Sequence, residues 1–175
     1  GFKYVPFGDV KAAERAMDNR TAAILVEPIQ GEGGVNVAPD GYLAVLRRLC
    51  DETGALLMFD EIQTGMGRTG RLWGYQHWGV EPDLITFAKG VNSGYVPLGG
   101  VLITDEIAAT FDDRPFPGGL TYNSHPLACA AALACATGRR TRRATSAPAA
   151  PERTTTMPHP IRRIVRSCAR SSRSA

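Results

Sequence analysis

The sequence has no apolar run approaching the roughly 18 consecutive residues that a bilayer-spanning helix needs, so no membrane span is expected. It opens Gly1-Phe2-Lys3, and no signal-peptide pattern follows. Cysteine is scarce. Cys50, Cys129, Cys135 and Cys168 are the four, and none forms a C-x-x-C pair. No metal spacing and no disulfide framework emerge, so no metal is expected and a reducing cytoplasm is the natural compartment. No internal repeat is visible. Acid is almost missing from one end: residues 138–175 hold ten Arg, no Lys and a single acid, Glu152, a net +9. Residues 1–137 hold 10 basic and 16 acidic residues, a net −6. The overall +3 describes neither part.

What is there begins with short apolar runs. Ala22-Ala23-Ile24-Leu25-Val26 reads as a strand that stops at Glu27-Pro28. Gln30-Gly31-Glu32-Gly33-Gly34 reads as a flexible loop. Pro39-Asp40-Gly41 opens a helix with Tyr42, Leu43, Val45, Leu46, Leu49 and Cys50 on one inward face, closed by Gly54. Ala55-Leu56-Leu57-Met58-Phe59 is a second strand ending at Asp60, and Leu84-Ile85-Thr86-Phe87-Ala88 a third ending at Lys89. Val101-Leu102-Ile103 is a fourth, and a small-residue helix follows Pro126. Strand, loop, helix, strand is a βαβ unit, and continuous apolar strands predict burial on both faces. The fold class is therefore α/β with a mostly parallel sheet. From Gly138 onward apolar periodicity fails, and such a segment is expected to be disordered.

Three strands end in Glu27, Asp60 and Lys89. Ligands of open α/β sheets bind beyond the carboxyl ends of parallel strands, so these charges are the candidates for chemistry. Lys89 lies between an apolar strand and a glycine-rich loop, where desolvation would free its amine as a nucleophile. Asp60 suits a carboxylate that holds a proton on a ring nitrogen. Gly65-Met66-Gly67-Arg68-Thr69-Gly70 matches the spacing of a dinucleotide fingerprint. That fingerprint needs its glycines directly after a strand and opening a helix. Here five residues intervene, an aromatic glycine-rich stretch follows, and Asp83 precedes a strand, so a nicotinamide cofactor is rejected. His125 reads as a helix-entry residue, His77, Trp73, Tyr75 and Trp78 as loop packing, and Arg68 as a carboxylate ligand or an ion-pair partner. The tail arginines could neutralise phosphates. They come without lysine or a binding fold, and no nucleic-acid partner is expected.

Phe59-Asp60-Glu61-Ile62-Gln63-Thr64-Gly65, Gly67-Arg68-Thr69-Gly70, Pro82-Asp83 and Ala88-Lys89-Gly90 stand in an order that resembles the signature of class III aminotransferases. Glu27-Pro28-Ile29-Gln30-Gly31-Glu32-Gly33-Gly34 before them and Thr121-Tyr122…His125-Pro126 after them extend the resemblance over nearly all of residues 1–137. It implies the large domain of a fold type I enzyme that uses pyridoxal 5′-phosphate. By the resemblance, Lys89 forms the Schiff base with the cofactor and moves the proton during transfer. Asp60 pairs with the pyridinium nitrogen, and Gln63 bonds the ring's 3′-oxygen. Thr121 reaches the phosphate held by the partner subunit of a homodimer. Glu27 helps shape the amine side of the substrate pocket.

The same resemblance implies an amine and a 2-oxo acid as substrates. The lysine loop Gly90-Val91-Asn92-Ser93-Gly94-Tyr95-Val96-Pro97-Leu98-Gly99 is similar to that of members acting on ω-amino acids or taurine. The opening residues 1–9 are more like the acetylornithine branch. The family's phosphate-cradling loop, ring-stacking aromatic and substrate-binding arginine have no counterpart in this chain, which is expected to show weak activity or none. A non-catalytic remnant, an aminomutase and a decarboxylase stay open beside the transaminase. Ser124 stands where the family usually has Gly. The Arg-rich residues 138–175 are expected to be a frameshifted terminus.

Overall fold

The computed structural model describes residues 1–146. The chain forms two compact units, Gly1–Gly90 and Val91–Ala175. The first unit begins with helix α1, Val10–Ala16, whose N-terminus is capped by the Asp9 carboxylate accepting from the Ala12 N–H at 2.9 Å. Strand β1 is Ala23–Val26. A short antiparallel hairpin follows, β2 (Ile29–Gln30) with β3 (Asn36–Val37). The sequence shows a flexible loop here. The structure ties it down, with Asn36 Nδ2 donating to Gln30 Oε1 at 3.0 Å and to the Gly33 carbonyl at 2.9 Å.

Helix α2, Tyr42–Thr53, ends at Gly54 in the left-handed conformation (φ 73°), as its sequence predicts. It buries Tyr42, Leu43, Leu46, Leu49 and Cys50. Strands β4, Leu56–Asp60, and β5, Leu84–Phe87, complete this unit's sheet. β1 pairs with β4 and β4 with β5, all parallel, so the order is β1-β4-β5. Leu57, Phe59, Ile85 and Phe87 are buried on one face of this sheet. The other face is open: Leu25 is 56% and Leu56 37% exposed. Burial on both faces, expected from the continuous apolar runs, is thus met on one face only. A run of apolar residues records an affinity for cover, not which element supplies it.

Asp83, just before β5, fastens helix to sheet. Its Oδ2 accepts from the Leu57 N–H at 2.7 Å and from Arg47 Nη1 of α2 at 2.8 Å. Partial burial alone would weaken the Arg47 charge, but Asp83 and Asp51 outweigh it and hold the guanidinium above its ordinary pKa. Asp83→Ala leaves a strand N–H without its acceptor and takes from the half-buried Arg47 one of its two carboxylate partners. It should lower stability by about 2–3 kcal/mol, read as a shifted urea midpoint at constant slope.

The second unit holds strand β6, Gly100–Ile103, and helix α3, Asp105–Ala109, capped by Thr104 Oγ1. Helix α4, Pro126–Ser146, begins directly after His125, which confirms that residue's helix-entry place. It runs past Gly138 to Ser146. The rest of the expected disordered, frameshifted tail lies outside the described residues. Among the described residues no helix is long and apolar enough to cross a membrane.

Among the described residues, five non-glycine residues have left-handed φ, Val35 (57°), Met66 (62°), Lys89 (40°), Ser93 (60°) and Ser124 (56°). Ser124 thus takes the conformation that the glycine usual at its place adopts most readily. Val35 is the least suited to it, being β-branched, and its side chain is 71% exposed. Val35→Asn keeps the turn and tolerates that φ. It should raise stability by about 1 kcal/mol in a thermal melt.

Candidate active site

The parallel register sets the geometry. Val26 is the Cα partner of Phe59, so Glu27 and Asp60 leave adjacent strands at the same level. Asp60 is the partner of Thr86, and Lys89 lies three residues further along the chain. Glu27, Asp60 and Lys89 therefore gather at the carboxyl edge of one sheet. Glu27 Oε2 accepts from the Gly31 N–H at 3.1 Å. Gly31 in turn lies flat against Gln63: a Cβ on it would fall 2.7 Å from Gln63 Cγ. Gln63 is brought to the same edge by this contact. Thr121 belongs to the second unit, where it is exposed, and it is not gathered with the other four within their unit.

Asp60 is half-buried, and its Oδ1 accepts from the Ile62 N–H at 2.9 Å, which fixes the carboxylate. Lys89 opens a short 3-10 turn, Lys89–Val91. It is exposed, so the desolvation expected of its amine is not supplied by the residues around it. Thr86 adds a feature the sequence does not advertise. Its Oγ1 is buried without a hydrogen-bond partner. As register partners on neighbouring parallel strands, Thr86 and Asp60 point to the same face of the sheet. A buried hydroxyl left unmatched costs about 1–3 kcal/mol, and a bound polar group would satisfy it.

The glycine-rich stretch rejected as a dinucleotide fingerprint forms a closed loop instead of a helix. The Gly67 N–H donates to the Leu72 carbonyl at 3.2 Å and Gly70 N–H to Gly67 at 3.1 Å. Trp73 and Tyr75 are buried and pack on the strands, Trp73 6.3 Å from the Phe87 ring and Tyr75 5.8 Å from Phe59. They belong to the core, deeper than the loop packing their setting predicts. His77 Nε2 lies 3.0 Å from the Thr69 carbonyl, closing the same loop.

Glu61 is the residue whose weight sequence reasoning missed. Only 1% exposed, its carboxylate accepts from Thr64 Oγ1 at 2.5 Å, the Tyr75 N–H at 2.7 Å and the Gly74 N–H at 2.8 Å. Burial pushes its pKa above the ordinary glutamate value, against the pull of those three donors, and Asp60 adds to the rise. Between the unfolded and the raised native value the folded chain binds the extra proton. Stability therefore falls as pH rises through that interval. A Glu61→Gln chain should lack this component, which urea titrations across mildly acid pH would register.

Among the described residues no three His, Cys, Asp or Glu side chains are placed to hold a metal ion. The sequence model of the family "Aminotransferase class-III" matches residues 6–138. The acetylornithine aminotransferase of Methanocaldococcus jannaschii is 51% identical over 136 residues, which cover 77% of this chain and 33% of that protein. The chain thus spans about a third of that curated relative's length. Among solved structures, an (S)-enantioselective ω-transaminase from Thermomicrobium roseum is 47% identical with a TM-score of 0.71, over 77% of this chain and 31% of that one. The ornithine aminotransferase of Toxoplasma gondii, whose active site holds PLP at partial occupancy, is 41% identical with a TM-score of 0.76. That match covers 82% of this chain and 33% of the other.

Proposed function

The chain belongs to the class III aminotransferase family, and from that premise we propose that residues 1–137 are part of a pyridoxal-phosphate-binding large domain. Its reaction is transfer of an amino group from an ω-amino acid or related amine to a 2-oxo acid. The observation that carries the reading is the convergence of Glu27, Asp60, Gln63 and Lys89 at one sheet edge. The donor set suits the cofactor: a carboxylate for a pyridine nitrogen, a carboxamide for a ring oxygen, an amine for an aldehyde. Thr86 offers an unmatched hydroxyl on the same face.

In this reading Asp60, fixed by Ile62, holds a proton at the pyridine nitrogen. Gln63, fixed by Gly31, bonds the ring's 3′-oxygen. Lys89 would hold the cofactor through its amine and would carry the proton taken from the donor's carbon. When bound, the cofactor supplies the electron sink that makes this carbon acidic. Glu27 shapes the amine side of the pocket, one of its oxygens being taken by Gly31. Thr121 serves the phosphate site of a second copy, so the working form is a homodimer, in a reducing cytoplasm where Cys50, Cys129 and Cys135 stay free. The ω-amino acid donor rests on the lysine loop and is supported by likeness to the Thermomicrobium enzyme.

Two measurements test this. The chain's lysines are Lys3, Lys11 and Lys89. Incubation with pyridoxal phosphate followed by borohydride should mark Lys89 above the other two, as mapped by peptide mass. Equal marking of all three would overturn the cofactor site. Any transfer, weak in this chain as its sequence leads one to expect, should pass isotopically labelled nitrogen from an ω-amino acid to a 2-oxo acid in a Lys89-dependent way. Carbon dioxide release, or return of the nitrogen within the same skeleton, would replace the transaminase by a decarboxylase or a mutase.

A further inference from the structure

Glu61 sits one residue from Asp60, yet its carboxylate turns to the interior and binds both ends of the loop that follows. Thr64 is near the start of that loop, Gly74 and Tyr75 at its finish. The backbone adds a third tie, Gly65 N–H to the Glu61 carbonyl at 2.8 Å. Within the loop, Gly65 is pressed on the buried Trp73 ring: a Cβ there would fall 2.8 Å from it. The next residue, Met66, is held at a left-handed φ of 62°. Met66 meets Gly90, where a Cβ would fall 2.9 Å from Met66 Cβ, so only glycine permits this approach. Gly90 follows Lys89, itself held at φ 40°. Met66, in a sparsely populated conformation, thus touches the residue next to Lys89, which is in another, and a buried carboxylate joins the two ends of the loop that bears Met66.

Such backbone conformations cost about 1–3 kcal/mol each and persist only where their surroundings impose them. Lys89 is exposed, and no side-chain hydrogen bond or ion pair of its own is seen to impose it. The side chain of Met66 lies against its neighbour Gly90. We propose that Glu61 is a positioning residue for Lys89, acting through the closed loop 62–75 and the Met66–Gly90 contact. The inference rests on the reading of Lys89 as the reacting amine. The mechanical coupling it asserts is nevertheless measurable without cofactor.

The test is residue-resolved amide hydrogen exchange on the full chain. In Glu61→Gln the amide of the same shape cannot accept all three donors. Exchange should accelerate about tenfold or more at residues 64–75 and also at Lys89 and Gly90, while the amides of α2 keep their wild-type rates. Met66→Gly leaves the Glu61 acceptors in place and removes the side chain that lies against Gly90. It should accelerate Lys89 and Gly90 alone, and it stands in if Glu61→Gln does not fold. Loosening of 64–75 with Lys89 and Gly90 unchanged overturns the proposal, as does uniform acceleration that includes α2. Lysine marking is the second arm, with selectivity for Lys89 over Lys3 and Lys11 falling several-fold in both variants. If the wild-type chain shows no selectivity, the cofactor reading fails, and the exchange rates still decide the coupling.

Discussion

Lys89→Ala should remove pyridoxal marking from position 89 and leave Lys3 and Lys11 marked as before. Under the proposed function, whatever amine transfer the chain supports should fall by about 10²–10⁴-fold from lost proton transfer alone, and further from the lost covalent attachment. A lysine with a purely structural role would behave differently, because the structure gives Lys89 little to stabilise. Its side chain is exposed and its backbone is strained at φ 40°. Lys89→Gly sharpens the contrast. Glycine accepts that φ without the Cβ clash, so this chain should be more stable by about 1 kcal/mol while losing the marking completely. Opposite signs for stability and chemistry at one residue are what a strained functional position produces. Lower stability in Lys89→Gly, together with retained transfer, would show that the amine holds the fold and not the reaction.

The largest loss of stability should come from Phe59→Ala. Phe59 has no exposed surface, lies in the middle strand of the first unit's sheet, and packs 5.8 Å from the Tyr75 ring. Truncating a buried phenylalanine costs about 3–5 kcal/mol through lost transfer energy and the cavity left behind. Total stabilities are commonly about 5–15 kcal/mol, so much of the margin would be gone. Phe59 directly precedes Asp60 and Glu61, and its neighbour Tyr75 donates its N–H to Glu61. The cavity therefore opens beneath the site, and the marking of Lys89 should weaken in the fraction that stays folded. Phe59→Leu keeps most of the volume and should cost less than about 1.5 kcal/mol, judged from urea midpoints. Equal costs for the two variants would mean that this ring is not packed as described.

The strands were legible because each is a continuous apolar run closed by a charge, and parallel register then places those charges at one level. Helix α2 was legible from its apolar spacing and from Gly54. What escaped notice is long-range. Helix α1 is about two turns long with one buried residue, Ala13, too little to show as periodicity. The β2–β3 hairpin hides in a glycine-rich stretch because its order comes from Asn36 reaching back to Gln30 and Gly33. Glu61 hid beside Asp60. Two adjacent acids look alike in sequence, and only the fold sends one to the sheet edge and the other to the interior. A local signal was present, Thr three residues after Glu, but its partners Gly74 and Tyr75 lie 13 and 14 residues away. The roles of Gln63 and Thr121 came from family resemblance, since neither residue type nor spacing alone points to them.

The parallel register also bears on how fast the chain can assemble. Its first pair joins Ala23 to Leu56 and its second joins Met58 to Leu84, so neither can zip from a tight turn. Each pairing must first close a long stretch of backbone, and non-local contacts of that kind slow the search for the native state. Asp83 reaches Leu57 and Arg47 only as the second closure completes. The carboxyl edge, with Glu27, Asp60 and Lys89, is therefore among the last features to exist on the way to the folded chain. Any agent that waits for that edge meets the protein only at the end of its folding.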